Sequence, residues 1–271
     1  MDWCGKQAHE AQANQCARAS IIRQFAKYLD VVGLNAYILP KGYYPTEPQY
    51  VPYIFSTEEL IRFFAETDQC HYSSECPHRH LIMPVFFRMI YLCGLRVSEA
   101  RLLKVGDVDI TSGVLSIHHS KKDNSRMVPM SDNLLKRCRD YSAKVHPFAT
   151  SEDYYFPALC SKPMTCTNVY HNFRRFLWRA GISHGGRGVG PRIQDFRHVY
   201  AIHCLKKWTE QGRDLIVYLP ILSTYMGHDS FQDTAYYLRL TADVFPDITL
   251  KLENRYPNLI PELGGDFCET H

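Results

Sequence analysis

Hydrophobic positions recur at helical spacing along most of this chain and alternate in only one short stretch. Ile21, Phe25, Leu29 and Val32 share one face of a helix predicted over residues 20–32, with Gly33 as its stop. Ser56-Thr57-Glu58-Glu59 is a capping box, and it opens a helix through Leu60, Phe63 and Phe64. Residues 81–92 make a mostly apolar helix ending at Gly94, with Pro84 tolerable only in its first turn. Further helices are predicted at 134–141, 168–178, 196–208 and 214–226. Between 107 and 130 the period changes. Val114, Ser116 and His118 alternate with Leu115, Ile117 and His119, and Arg126-Met127-Val128-Pro129-Met130 follows a polar turn at 120–125. That is a β-hairpin, so the fold class is α+β: mainly helical, with a small antiparallel sheet.

The Pro-, Gly- and Tyr-rich stretch 35–52 reads as a domain boundary. We expect a short helical segment at 1–45, a main domain at 46–241 and an acidic tail at 242–271. Of the 271 residues 45% are hydrophobic, which supports a real core. A formal charge of +3 says little, but its distribution says more. Arg174, Arg175, Arg179, Arg187, Arg192, Arg197, Lys206, Lys207 and Arg213 face only Asp195 and Glu210, whereas after Thr241 Asp243, Asp247, Glu253, Glu262, Asp266 and Glu269 face only Lys251 and Arg255. This pattern points to a polyanion-binding face from which the tail is kept away. The cysteines show no Cys-x-x-Cys pair, and Cys93 and Cys204 lie in apolar helical patterns, so they read as buried thiols. Cys70-His71 with Cys76, His78 and His80 has zinc-binding residue types without paired spacing, and reads as a polar loop rather than a metal site. With no apolar run of spanning length, the chain is expected in the cytoplasm with reduced thiols, away from membranes.

Three boxes carry the chemistry. They are Gly94-Leu95-Arg96-Val97-Ser98-Glu99, Gln194-Asp195-Phe196-Arg197-His198, and Gly227-His228 with Tyr237 nine residues on. Arginine is permanently charged and forks onto phosphate oxygens, so two converging arginines suit a pentacoordinate phosphorane. A tyrosine hydroxyl is a nucleophile toward phosphorus once its proton can leave. In this order the boxes resemble the tyrosine recombinase (phage integrase) family, from about residue 50 to about residue 241.

The resemblance implies a catalytic set of Arg96, Lys121, Gln194, Arg197, His228 and Tyr237, with Glu99 orienting an arginine or the histidine. Lys121 corresponds to the family's hairpin-turn lysine, a general acid for the leaving 5′-oxygen, and is preferred over Lys122. Tyr237 is preferred over the adjacent Tyr236, and His198 reads as structural. Gln194 stands where the family usually carries a histidine; a carboxamide can orient a phosphate oxygen but cannot take a proton. Lys122, Arg126, Arg174, Arg175 and Arg192 are the expected DNA contacts.

The implied reaction is site-specific DNA recombination through a 3′-phosphotyrosine, in an integrase or transposase setting. The bond energy is conserved, so no cofactor, ATP or metal is called for. Double-stranded DNA, a homo-tetramer on it and accessory proteins are the implied partners, with the protein nucleoid-associated when bound. Two alternatives stand beside it: a recombinase-fold DNA-binding protein impaired in catalysis, and a type IB topoisomerase. The N-terminal segment is shorter than the family's core-binding domain, as a shortened clamp, a truncated frame or a domain helped by a partner. Val244, Ile248 and Leu252 mark a subunit-contact helix, or one packed on its own chain.

Overall fold

The computed structural model describes residues 2–44, 51–118, 125–186 and 190–227, together with 234, 236–238, 240 and 241. The chain divides into two compact units, Met1–Val51 and Pro52–His271. The first unit is built on α1 (Gln12–Val31), which starts eight residues before the predicted position. Its buried residues are Gln15, Ala19 and Ala26, whereas Ile21 and Phe25 are exposed. The reason lies in what α1 has to pack against: short flanking segments that the small-residue face can admit. Gln15 Nε2 donates to the Cys4 carbonyl at 3.1 Å, and Arg23 Nε to the Leu39 carbonyl at 2.8 Å.

The second unit begins with α2 (Thr57–Asp68), whose capping box forms as predicted: Ser56 Oγ accepts from the Glu59 N–H, and Glu59 Oε2 from the Ser56 N–H. Next come α3 (Arg79–Cys93) and the short α4 (Val97–Leu102). Pro84 lies six residues into α3 rather than in its first turn. It removes one ladder hydrogen bond, but Ile82, Met83, Val85, Phe86 and Phe87 bury this part of the helix on all sides, and packing holds it. A three-stranded antiparallel sheet follows, β1 (Val108–Asp109), β2 (Val114–Ile117) and β3 (Arg126–Pro129), in the order β1-β2-β3. In the predicted hairpin Leu115 pairs with Val128 and Ile117 with Arg126. The remaining helices are α5 (Asp132–Val145), α6 (Cys166–Arg179), α7 (Asp195–Glu210) and α8 (Leu215–Met226). The described residues among 234–241 are helical.

An aromatic hub positions α7. Phe196, in its first turn, lies 4.9 Å from Phe55, 5.1 Å from Phe63 of α2 and 5.7 Å from Phe173 of α6 (ring centroids). All four rings are buried, and each contributes about 1.5–3 kcal/mol of transfer free energy. The residue after Phe196 is Arg197, so the hub fixes where that guanidinium enters the interior. A second apolar cluster joins Ala201, Ile202 and Leu205 of α7 to Leu215, Leu219 and Leu222 of α8 and to Tyr237, Leu238 and Leu240.

Candidate active site

Helices α3 and α8 end in the same way, on glycines in the left-handed region: Gly94 at φ 59° and Gly227 at φ 64°. A Cβ on Gly94 would stand 2.7 Å from the Tyr200 ring, so both conformation and space demand glycine there. The two ends leave carbonyls unpaired within their own helices, and arginines take them up. Arg197 Nη1 donates to the Gly94 carbonyl at 2.6 Å and Nη2 to the Met226 carbonyl at 2.5 Å. Arg96 Nη2 donates to the Gly227 carbonyl at 3.0 Å. The two boxes 101 residues apart (Arg96 and Arg197) are thereby brought together at two helix C-termini.

Glu99 organises the cluster. Its carboxylate reaches back to the Arg96 backbone N–H (2.8 Å) and accepts from Arg96 Nη1 (2.9 Å). It also accepts a fork from Arg126, Nη1 to Oε1 at 2.9 Å and Nη2 to Oε2 at 2.8 Å. Burial alone would raise the Glu99 pKa, but the hydrogen bonds and charge of Arg126, with Arg197 and the Arg96 N–H, outweigh it and hold the carboxyl below its ordinary value. Arg197 is 2% exposed. Burial pushes its pKa down to about 10, and the neighbouring Arg96 and Arg126 charges act in the same direction, while Tyr237 and Glu99 oppose them. Arg197 is thus still a cation at neutral pH. Three guanidiniums around one carboxylate leave an excess of positive charge suited to a phosphate.

Tyr237 is 1% exposed and close enough to Arg197 for their charges to interact. Its ring lies 5.5 Å from the His198 ring, and its carbonyl accepts from Thr241 Oγ1 at 2.7 Å. Tyr236 is only partly buried, with its ring 6.0 Å from that of Tyr237. Gln194 precedes α7, half-buried, and its carbonyl accepts from the Arg197 N–H at 2.9 Å. Arg96, Glu99, Arg197 and Tyr237 therefore converge, with Gln194 at the entry to the same helix. Lys121, Lys122 and His228 lie outside the described residues.

Of the expected DNA contacts, Arg174, Arg175 and Arg192 are exposed, and Arg174 lies over the Tyr170 ring at 5.9 Å. Arg126 is placed differently. Its side chain is 7% exposed, and besides the fork onto Glu99 its Nε donates to the Tyr225 carbonyl at 2.8 Å. This inward role escaped the sequence reading, although a signal for it exists. Strand alternation puts Arg126 on the face of Val128, which is buried. His198, expected to be structural, is buried against the Tyr237 ring. The signal is the apolar set around it on α7, Val199, Ala201 and Ile202, all buried.

Residues 56–243 match the model of the phage integrase family. The integrase/recombinase y4rB of Sinorhizobium fredii (strain NBRC 101917 / NGR234) is 29% identical over 260 residues, covering 94% of this chain and 82% of that protein. A second protein of the same strain, the integrase/recombinase y4eF, is 30% identical over 200 residues, 73% of this chain and 68% of its own. Among solved structures, the XerH site-specific recombinase bound to palindromic difH substrate superposes with a TM-score of 0.65 at 17% identity, covering 88% of this chain and 67% of that one. XerA recombinase gives 0.58 at 20% identity, with coverage of 94% and 78%. At such identities these structures speak to the fold, and they agree on the helical catalytic domain with its small sheet. The chain belongs to the phage integrase family, the tyrosine recombinases.

Proposed function

We propose that this protein cuts and rejoins DNA at specific sites, with Tyr237 attacking the scissile phosphate to give a 3′-phosphotyrosine and a free 5′-hydroxyl. A 5′-hydroxyl from another strand then attacks the phosphotyrosine and releases Tyr237. Each transfer exchanges one phosphodiester-type bond for another, so the chemistry needs no nucleotide hydrolysis. The observation that carries this reading is the meeting of Arg96, Arg197 and Tyr237, drawn from three distant segments, around the ends of α3 and α8.

Arg96 and Arg197, with His228, stabilise the charge that develops on the phosphorane. Glu99 holds Arg96, Lys121 protonates the leaving oxygen, and Gln194 offers a carboxamide to a phosphate oxygen. Arg197 and Tyr237 are buried in the free protein, so binding of DNA must open the ends of α3 and α8 to the phosphate. Lys122, Arg174, Arg175 and Arg192 contact the duplex backbone. We assign residues 46–241 to catalysis, 1–45 to part of a core-binding segment, and 242–271 to a subunit contact. The working assembly is a homo-tetramer on two duplexes, with accessory proteins, in a mobile-element setting and at the nucleoid. No described helix is long and apolar enough to cross a membrane.

The test is strand exchange. Two duplexes of different length carrying the target site, incubated with the protein without metal or nucleotide, should yield joined products of intermediate length. Relaxation of a supercoiled circle without any intermolecular joining would count against recombination.

A further inference from the structure

The end of α3 opposite the catalytic cluster carries a separate cavity of about 330 Å³, lined by Cys70, His71, Arg79, Arg175, Trp178 and Arg179. Arg79 is the first residue of α3 and Gly94 caps its other end, so the helix separates this cavity from the active-site arginines by roughly 20 Å. Cys70 and His71 follow α2, and Arg175, Trp178 and Arg179 occupy the last turns of α6.

Three guanidiniums facing one cavity repel each other unless an anion joins them. Among the described residues none of the three forms an ion pair with a carboxylate, and Arg79 Nε is buried with no hydrogen-bond partner. A cation is a poor fit beside three arginines, which sets Cys70 and His71 aside as metal ligands. The indole of Trp178 is 81% exposed at the same place. An exposed indole of this size is costly to leave bare, and every nucleic-acid base offers it a flat partner. Tyr170 and Arg174 extend the alternation of aromatic and arginine along the exposed face of α6.

We propose that this cavity is a second nucleic-acid site that grips a single-stranded segment, its phosphate forked by Arg79 and Arg179 and a base stacked on Trp178. The base must be unstacked from its neighbours to meet the indole, so a single strand is favoured over a closed duplex. The site stands apart from the cleavage residues, and of its lining only Arg175 is also among the proposed duplex contacts.

The experiment titrates the 271-residue chain carrying Tyr237→Phe, which should form no covalent adduct, with a short oligothymidine while following tryptophan emission. Emission should be quenched, and Trp178→Phe should remove that quench. Arg79→Gln and Arg179→Gln should each weaken binding about fivefold or more, with a shallower salt dependence. Thermal melting of each variant identifies any that misfold, and the exposed Arg179→Gln keeps the test open if Arg79→Gln does. An oligothymidine bearing 5-iodouracil should photo-crosslink within residues 166–179. A quench that survives Trp178→Phe, affinity indifferent to both arginine variants, an oligoglutamate that binds as tightly as oligothymidine, or a crosslink elsewhere would each overturn the proposal.

Discussion

Arg126 lays both of its terminal nitrogens on the two oxygens of Glu99, at 2.9 and 2.8 Å, and both side chains are almost wholly buried. The pair joins the end of the hairpin to the start of α4, and the Arg126 Nε bond to the Tyr225 carbonyl adds the last turn of α8. A buried fork of this kind adds little net stability, yet breaking it is costly because the remaining charge stays buried.

Arg126→Met should therefore destabilise the protein by about 3–5 kcal/mol, while Glu99→Gln with Arg126→Met together should cost much less than the two singles added. Urea unfolding of the four proteins measures this. Arg126→Lys should keep the charge but lose the fork, and slow cleavage without a matching loss of DNA affinity.

The Glu99 carboxyl is held below its ordinary pKa in the folded state. Its contribution to stability is then fully present above the unfolded carboxyl value of about 4.3 and is lost as pH falls below it, toward the folded value. Urea midpoints between pH 3 and 6 should fall more steeply toward acid in wild type than in Glu99→Gln.

Gly94→Ala should cost at least about 1–2 kcal/mol for the left-handed backbone alone, with more from the clash at the Tyr200 ring. Because the Gly94 carbonyl receives Arg197, cleavage should slow even at temperatures where the variant is folded. Thermal melting and cleavage rates on one preparation separate the two effects.

Much of this was legible in the sequence because the signals were local. The capping box at Ser56, the hairpin alternation and the glycine stop at Gly94 each act within a few residues, and each holds in the structure. What escaped was set at long range. The exposed Ile21 and Phe25 show that an apolar stripe fixes a helix but not the face it buries. Arg126 reads as a DNA contact in the sequence because its partners, Glu99 and the Tyr225 carbonyl, are 27 and 99 residues away. Burial of Tyr237 against Arg197 and His198 likewise depends on how α7 and α8 pack, which no spacing encodes.

Gln194 supplies no titratable group, whereas His198 packs its imidazole on the Tyr237 ring. Gln194→His should be tolerated and raise cleavage near pH 7–8, since imidazole takes a proton near its ordinary pKa of about 6.5. Gln194→Ala should be slower than either. His198→Ala should release the Tyr237 ring and cost on the order of 10²-fold in cleavage with DNA binding retained, as a misplaced nucleophile does. Rate profiles against pH for these proteins check all three expectations.

Lys121→Ala should slow cleavage of ordinary DNA far more than cleavage of a substrate with a 5′-bridging sulfur, because a thiolate leaves without an acid. Equal slowing on both substrates would reassign Lys121 to DNA binding.

The central claim is that Tyr237 becomes joined to DNA. Its most direct test is capture on a nicked suicide duplex, followed by protease digestion and mass spectrometry of the DNA-linked peptide. The account predicts one modified residue, Tyr237, and no adduct from Tyr237→Phe, which should still bind DNA within a few-fold of wild type. A phosphotyrosine at Tyr236, or an adduct that persists in Tyr237→Phe, would contradict it.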